Sequence, residues 1–375
     1  MFEAMMSLRS LSILSPLALV IASCGSPAIG DSPITTAEAD ETTALTIAEV
    51  ARFDAPWAMA FIPDTPLALV TEKKGRLLLW QDGGEVREVA GVPHVDHGGQ
   101  GGLGDVVLSP TFRDDGLIFL SWAEAGAGDT RGAAVGKARL VLDGAPRLEG
   151  LEVIWRQNPK VTGRGHYSHR LAFSPDGKSL YIASGDRQKM TPAQDPASDL
   201  GKIFRMAADG SSKVEQVSLG HRNILGLGFD AQGRLWDLEH GPAGGDELNL
   251  VKPGANYGWP VVSQGDHYNG TPIPRHETRP DFAAPAISWN PVIAPGGMIF
   301  YQGDLFRGWR GQAIIAGLVS QGLVRVAIDG ERAREVARHD LQNRIRAIAE
   351  REDGSIWVLE DGDNARLLKL TPSPN

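Results

Sequence analysis

The sequence predicts an all-β fold, a six-bladed β-propeller with four-stranded antiparallel blades around a central axis. The first observation behind this prediction is a unit of two apolar strands joined by a Pro, Asp or Gly turn, which recurs after residue 45. The second is the abundance of turn residues, with 45 Gly and 24 Pro among 375 residues. The third is the absence of any helical periodicity of useful length between the units.

The repeated unit can be aligned on one apolar position near the end of its first strand. An Asp-Gly pair follows in several copies, as at Asp176-Gly177 and Asp353-Gly354, and it favours a hairpin because the turn needs residues that tolerate positive φ. The aligned positions recur on average about every 58 residues. Six such units of three or four strands each are typical of a propeller. These positions are Phe61, Leu108, Phe173, Phe229, Phe300 and Ala349.

The charge balance and the single cysteine exclude several classes of protein. The chain has 37 Lys and Arg against 46 Asp and Glu, a formal net charge of −9. It therefore lacks the basic face with which a protein displaces counterions from phosphates, and we expect no nucleic-acid partner. One cysteine can form neither a disulfide framework nor a thiolate zinc site.

Residues 1–23 are predicted to be a lipoprotein-type signal peptide. An apolar stretch too short to span a bilayer ends at Ile21-Ala22-Ser23-Cys24, which resembles the bacterial lipoprotein box; a plain secretory signal is the alternative. The favoured interpretation is export to the periplasm with a lipid anchor at Cys24, and Gly25 favours the outer membrane. Residues 24–45 would then be a flexible tether, and residues 46–375 a single catalytic propeller domain.

Three loop segments carry more chemistry than a strand connection needs. His166 precedes the first strand of the third unit, and histidine is the usual general base at neutral pH. Arg222 and Asn223 lie at a strand entrance, where a guanidinium can bind a carbonyl or carboxylate oxygen of a ligand. The stretch Glu239–Asn249 offers carbonyl and carboxylate oxygens, which Ca²⁺ prefers, although its spacing does not match an EF-hand loop.

Arg344 and Arg346 lie two residues apart in a predicted strand, so their side chains share one face. Two inward-facing arginines need anionic partners, because an unpaired buried charge is costly. Together with Arg222, they would suit a ligand that carries several carboxylates.

In chain order, these motifs resemble the soluble quinoprotein glucose/aldose sugar dehydrogenase family. The resemblance extends from about Ala55 to Leu370 and implies a six-bladed propeller that binds pyrroloquinoline quinone (PQQ) and Ca²⁺. It also implies oxidation of the anomeric C1 hydroxyl of aldose sugars to lactones, with electrons passed to a quinone or dye-type acceptor. The motifs are Gln100-Gly101-Gly102-Leu103, His166 to Leu171, Arg222-Asn223, Glu239 to Leu250, Asn256-Tyr257-Gly258-Trp259-Pro260, Ala294-Pro295-Gly296-Gly297 and Asn343 to Arg346.

The resemblance implies a role for each matching residue. His166 would be the base that takes the hydroxyl proton while hydride moves to PQQ, and Arg222 would stabilise negative charge on the quinone carbonyl. The backbone carbonyls of Gly241 and Pro242 would bind the catalytic Ca²⁺. The implied cofactor-binding residues are Gln100, Arg170, Asn223, Arg344 and Arg346. The implied ligands of a second, structural Ca²⁺ are Glu247, the Tyr257 carbonyl and Asp266.

The chain departs from the family pattern in three places. Members often have a lysine that contacts a PQQ carboxylate in the strand after the Ala-Pro segment, whereas Leu318–Gly322 contains none. Gly165 stands where glucose-specific members have Asp. Ser168 and His169 replace small residues, and His169 is thereby a rival to His166 as the base.

Two other functions stay open at this stage. A Ca²⁺-dependent lactonase on a six-bladed propeller would need an axial cluster of Asp, Asn and Glu ligands. A non-enzymatic lipoprotein that binds sugars or partners would have lost the cofactor, which the missing lysine favours. The physiological sugar and the natural acceptor are not specified by the sequence, and a monomer or a homodimer is expected.

Overall fold

The computed structural model describes residues 43–374, which form six four-stranded antiparallel sheets arranged as the blades of a propeller. The prediction of a six-bladed, all-β fold is therefore confirmed. The predicted signal peptide, Cys24 and nearly all of the predicted tether lie outside the described residues. Within residues 43–374, none of the helices has the length and apolar character needed to cross a membrane.

In each of the first five blades the strands pair in the order in which they follow along the chain. Blade 1 contains β2 (Pro56–Phe61), β3 (Leu67–Glu72), β4 (Arg76–Gln81) and β5 (Val86–Glu88). Blade 2 contains β6 (Leu103–Leu108), β7 (Leu117–Ala125), β8 (Arg131–Val141) and β9 (Arg147–Arg156). Blade 3 contains β10 (Ser168–Phe173), β11 (Ser179–Ser184), β12 (Lys202–Ala207) and β13 (Glu215–Leu219).

The remaining strands complete the ring. Blade 4 contains β14 (Ile224–Phe229), β15 (Leu235–Glu239), β16 (Asp246–Leu250) and β17 (Ile287–Trp289). Blade 5 contains β18 (Pro295–Phe300), β19 (Ala313–Gly317), β20 (Gly322–Asp329) and β21 (Arg332–Asp340). Blade 6 contains β22 (Ile345–Glu350), β23 (Ile356–Glu360), β24 (Ala365–Pro372) and β1 (Leu45–Phe53). The described helices are α1 (Phe112–Asp115) and two 3₁₀ turns, Thr191–Gln194 and His276–Thr278.

Blade 6 is built from both ends of the described chain. The N-terminal strand β1 is its outermost strand and pairs with β24 from Leu45 opposite Pro372 to Phe53 opposite Ala365. This pairing joins the two ends of the propeller by backbone hydrogen bonds and leaves β24 with a partner on both sides.

The first strand of every blade is its innermost strand, and these strands contact one another around the central axis. The aligned apolar positions predicted from the repeat are the last residue of this strand in five blades and the last but one in blade 6. Buried apolar side chains fill each of the six interfaces between neighbouring blades, because both faces of a blade are covered by its neighbours.

All six innermost strands are irregular at the end where they begin. The pairing register shifts between Ser168 and Leu171 in β10 and between Ile345 and Ala347 in β22, and similar shifts occur in β2, β6, β14 and β18. Such irregularities turn side chains out of the regular pleat. This end of the ring therefore presents functional side chains.

Candidate active site

A cavity of about 270 Å³ lies where the innermost strands begin. Most of its walls come from segments that precede or start these strands, and they include the predicted site residues Gln100, Asn223, Arg344 and Arg346. Its lining residues are Trp57, Lys73, Gly99, Gln100, Tyr167, Ser168, His169, Asn223, Leu225, His240, Ala294, Leu318, Arg344 and Arg346.

His166 lies beside this cavity and is held by a carboxylate. Its Nδ1 lies 2.6 Å from Oδ1 of Asp186, the second residue after strand β11. A side chain at Gly185 would lie 2.1 Å from the His166 carbonyl oxygen, so glycine allows this close approach. The other oxygen of Asp186 accepts a hydrogen bond from Trp259 Nε1 at 2.8 Å, which fixes the carboxylate from both sides.

Burial lowers the pKa of His166, and the nearby Arg222 and Arg187 act in the same direction, although Asp186 opposes them. The imidazole is therefore neutral at neutral pH. Because Asp186 accepts the Nδ1 proton, Nε2 carries the lone pair, and no described residue forms a hydrogen bond with it. This is the protonation state that a general base requires.

The backbone from His166 to His169 adopts an unusual conformation, with left-handed φ angles of 50° at His166, 65° at Ser168 and 70° at His169. Each such residue costs of order 1 kcal/mol, so the segment needs support from elsewhere. The His166 amide donates to Gln100 Oε1 at 2.7 Å, and the Ser168 amide donates to Asn223 Oδ1 at 3.2 Å. Two residues expected to bind the cofactor thus also hold the base in place.

His169 is a poorer base than His166. It lines the cavity, but its ring is fully buried between Tyr167, with centroids 5.2 Å apart, and Trp57, at 5.7 Å. Burial lowers its pKa to about 3, and neither ring nitrogen has a hydrogen-bond partner among the described residues. Without a carboxylate to orient it, this ring lacks the arrangement found at His166.

Arg170 does not line the cavity. Its Nε donates to the Leu225 carbonyl at 2.7 Å, and its two terminal nitrogens bond to Asp105 at 3.2 Å and the Gly296 carbonyl at 2.7 Å. The guanidinium lies 4.0 Å from the ring centroid of Trp57, a lining residue. In this structure Arg170 supports the cavity wall.

Arg222 is held by two oxygen atoms and keeps one donor unused. Its terminal nitrogens donate to the His240 carbonyl and to the Tyr268 hydroxyl, each at 3.1 Å. Its guanidinium carbon lies 5.2 Å from the ring centroid of Trp259. Nε is buried and has no partner among the described residues, so the side chain can still donate to a ligand oxygen.

Arg344 and Arg346 both line the cavity and share one carboxylate. Arg344 Nε and Nη2 each lie 3.1 Å from Asp361 Oδ2, and Arg346 Nε lies 3.0 Å from Oδ1. Lys73 Nζ lies 3.4 Å from the same Oδ1. Burial alone would raise the pKa of Asp361, but Arg346 and then Lys73 hold it well below its ordinary value. Three cations therefore face one carboxylate.

The loop that follows β15 has the oxygen atoms expected for a cation. Gly241 and Pro242 are buried, and among residues 43–374 no hydrogen bond is donated to either carbonyl oxygen. The loop is braced by Asp246, whose Oδ1 accepts from the Gly241 amide at 2.9 Å. Buried carbonyl oxygens without donors fit a hard cation such as Ca²⁺.

A second, much smaller space of about 10 Å³ lies beside this loop, and Glu239, Glu247 and Tyr257 are among its lining residues. Burial raises the pKa of Glu247 well above its ordinary value, and the neighbouring Glu239 adds to the effect. A cation bound here would stabilise the ionised carboxylate of Glu247. The Tyr257 carbonyl accepts a hydrogen bond from His276 Nε2 at 3.1 Å. Asp266 lies outside this lining and pairs with Arg275 at 2.7 Å.

Blade 4 also contains a buried cluster of His221, Asp237 and Glu239, whose ligand atoms lie within 4.8 Å of one another. Burial opposes the charged form of His221, but Asp237 and Glu239 outweigh it and raise its pKa. Glu239 Oε2 accepts the backbone amide of Arg222 at 2.6 Å. The cluster thus positions the strand entrance at Arg222.

The geometry of the site and the fold agree with one family. The model of the glucose/sorbosone dehydrogenase family matches residues 53–369. The chain belongs to this family. The predicted resemblance is confirmed, as is the expectation that the protein is an oxidoreductase.

This glucose/sorbosone dehydrogenase family member is similar in sequence and in structure to bacterial aldose sugar dehydrogenases. The aldose sugar dehydrogenase YliI of Escherichia coli K12 is 36% identical over 342 residues, which cover 86% of this chain and 91% of that protein. The apo structure of the soluble E. coli aldose sugar dehydrogenase superposes with a TM-score of 0.83 at 34% identity, covering 88% of this chain and 100% of that one. The PQQ-bound aldose sugar dehydrogenase of Streptomyces coelicolor gives a TM-score of 0.72 at 25% identity, covering 88% and 99%.

Several residues of the site in this family member were not predicted from the sequence. Asp186 follows a strand in the pattern Ser184-Gly185-Asp186, and a polar residue after the second strand of a repeat was the available signal. Lys73 and Asp361 also follow second strands, of blades 1 and 6. Trp57 and Tyr268 carried no local signal, because their contacts come from distant segments.

Proposed function

We propose that this protein is an aldose sugar dehydrogenase that oxidises the anomeric C1 hydroxyl of aldoses to lactones, with PQQ and Ca²⁺ as cofactors. The observation that carries the proposal is the His166–Asp186 pair beside a cavity whose cationic residues outnumber its acidic partner. The family and its PQQ-bound relative support it. When bound, PQQ supplies the acceptor for the C1 hydride and Ca²⁺ supplies a Lewis acid.

The residues of this chain fit those groups. Arg344, Arg346 and Lys73 suit a ligand with several carboxylates, because one carboxylate, Asp361, faces all three. The carbonyl oxygens of Gly241 and Pro242 would hold Ca²⁺. Gln100 and Asn223 line the same cavity and offer amide groups to a quinone edge.

The proton of the sugar hydroxyl moves to His166. In the proposed reaction C1 loses its hydride to the acceptor and its hydroxyl proton to Nε2 of His166, which leaves the C1–O double bond of a lactone. Asp186 stabilises the imidazolium that forms, since its carboxylate lies 2.6 Å from Nδ1. The free Nε of Arg222 would donate a hydrogen bond to the quinone carbonyl oxygen of the hydride acceptor, where negative charge develops. A quinone or dye-type compound would be the final acceptor of the two electrons.

The lactonase alternative fits the structure less well. Its metal would need side-chain ligands that open towards the substrate. Asp237 and Glu239 are instead buried in blade 4 against His221 and Asn249.

The direct test is dye reduction by purified residues 25–375 against a panel of aldoses, with PQQ and Ca²⁺ added together and singly. We expect turnover that requires both additions. Absence of turnover, together with no change in PQQ absorbance or protein fluorescence on mixing, would overturn the proposal.

Arg222→Ala separates an enzyme from a binding protein. We expect turnover to fall by about 100-fold or more, with thermal unfolding close to that of the wild type. The matched control is Arg310→Ala, since Arg310 is 60% exposed, pairs with Asp304 and follows the far end of β18. Equal loss of activity in both variants would contradict the role of Arg222.

We further propose that the protein is exported and anchored through a lipid on Cys24. The test is metabolic labelling with a radioactive fatty acid in a bacterial host. We expect the wild-type chain to carry the label and to be found in the membrane fraction. The Cys24→Ser variant should carry no label and should leave the membrane fraction. A labelled Cys24→Ser chain would overturn the anchor.

A further inference from the structure

The cavity contains a lysine outside the motifs of the family resemblance. Lys73 lies in the loop that joins β3 to β4 in blade 1. Its backbone is fixed at both ends, because its amide donates to the Ala55 carbonyl at 3.0 Å and its carbonyl accepts from the Leu103 amide at 3.1 Å. A glycine, Gly102, lies directly against this carbonyl.

The position of Lys73 complements a gap on another wall. The segment Leu318–Gly322 has no cationic side chain, and Leu318 lines the cavity with an apolar surface. The blade 5 wall thus cannot bind a carboxylate of the ligand through a charge. Lys73 supplies a cation from blade 1.

The charges around Asp361 leave an excess for a ligand. Arg344, Arg346 and Lys73 are all within 3.4 Å of its oxygens, so one negative charge is shared by three positive charges. Side-chain exposure is only 20% for Lys73 and 13% for Arg346. Partly buried cations without matching anions favour an anionic ligand.

We propose that Lys73 binds a carboxylate of PQQ and supplies, from blade 1, a cation that the Leu318–Gly322 segment of blade 5 does not provide. With Arg344 and Arg346 it would give the cavity three cations for the three carboxylates of this cofactor. The inference rests on the proposed function, since it assumes that PQQ enters this cavity.

The test is a titration of purified residues 25–375 with PQQ in the presence of Ca²⁺, followed by PQQ absorbance and by quenching of tryptophan fluorescence. We expect Lys73→Met to raise the Kd by about 10- to 100-fold, and Lys73→Arg to stay within a few-fold of the wild type. Lys74→Met is the matched control, because the Lys74 side chain is 54% exposed and its ammonium lies 3.7 Å from Asp363. We expect no change in that variant.

Two further readouts separate a charge contact from a change in folding. The trimethyl ester of PQQ, which has no carboxylates, should bind wild type and Lys73→Met equally. The dependence of log Kd on log salt should be shallower for Lys73→Met than for the wild type.

The possible results distinguish the two proposals. PQQ binding to the wild type with an unchanged Kd in Lys73→Met would overturn the inference and leave the proposed function standing. A wild-type chain that binds no PQQ would overturn both.

Discussion

At the residue scale, the candidate base depends on one buried carboxylate. Oδ1 of Asp186 accepts from the Gln188 amide at 2.8 Å as well as facing His166, and Oδ2 accepts from Trp259. Burial alone would raise the pKa of Asp186, but its contact with His166 lowers it. Asp186 is therefore ionised and orients the imidazole with Nε2 free.

Asp186→Asn tests this orientation. An amide at this position can donate to Nδ1, which favours the tautomer with the proton on Nε2 and removes the lone pair that the base needs. We expect kcat to fall by about 10²- to 10⁴-fold, with the Kd for PQQ changed little. Rates and PQQ titrations measure the two effects separately. A kcat within threefold of the wild type would show that Asp186 does not orient the base.

The pH dependence of the reaction should follow His166. Burial and Arg222 lower its pKa below the ordinary 6.5, so the neutral, active form persists at mildly acidic pH. Activity should fall only as the pH drops through this lowered pKa, because protonation then occupies Nε2. The measurement is kcat/KM from pH 4 to 9 under conditions where the protein stays folded. An acidic limb with its midpoint above 6.5 would contradict the assignment.

The sequence predicted the chemistry of single positions better than their pairing. His166, Arg222 and the two strand arginines were recognisable because their residue types are unusual at the start of a strand. Asp361 was not recognisable, because an acidic residue after a strand is common in turns. In the structure it binds both Arg344 and Arg346. Arg170, which was predicted to bind the cofactor, contacts Asp105 and two carbonyl oxygens in the structure, and these long-range contacts were not predicted.

At the element scale, the loops around the cavity are positioned by close backbone packing. Gly102 has a φ of 145°, and a Cβ there would lie 2.0 Å from the Lys73 carbonyl oxygen. The Gln100–Leu103 motif therefore makes two contacts. The Gln100 side chain accepts a hydrogen bond from the His166 amide, and the Leu103 amide donates to the loop that carries Lys73.

Gly102→Ala should disturb both contacts. The added methyl meets backbone rather than a flexible side chain, so the blade 1 loop must move. We expect a loss of roughly 1–3 kcal/mol in the free energy of unfolding and weaker PQQ binding. Chemical denaturation and PQQ titration are the measurements.

The matched control is Gly144→Ala. Gly144 has a φ of 77°, and a Cβ there would have no neighbour within 4 Å. This variant should lose only the roughly 1 kcal/mol of left-handed backbone strain and keep its PQQ affinity. Equal effects of the two substitutions on PQQ binding would rule out the packing argument.

At the scale of the whole molecule, the fold was predictable because it repeats. Six copies of strand, turn and strand reveal the blades, and the aligned positions Phe61 to Ala349 fall at matching ends of the innermost strands. Contacts across the closed ring were not predictable. Lys73 and Asp361 are 288 positions apart in sequence, and closure by β1 and β24 brings blades 1 and 6 together. No local pattern records such a pair.

The closing strand should be essential for stability. Removing residues 43–53 would take the buried Phe53 out of the core and leave β24 as an open edge. We expect Tm to fall by on the order of 10 °C and the chain to self-associate through the free edge. Calorimetry and size-exclusion chromatography, compared with a chain that starts at residue 43, test this. An unchanged Tm would mean that the ring does not depend on this pairing.

The pairing of β1 with β24 also determines on which side of the propeller strand β1 begins. Ile345 opposite Glu360 and Phe53 opposite Ala365 mark the side of blade 6 that carries the cavity, whereas Leu45 opposite Pro372 marks the other side. Immobilising the protein through a group placed just ahead of Leu45 should therefore leave the mouth of the cavity directed towards solution. An electrode or bead coated in this way would present its molecules in one useful orientation.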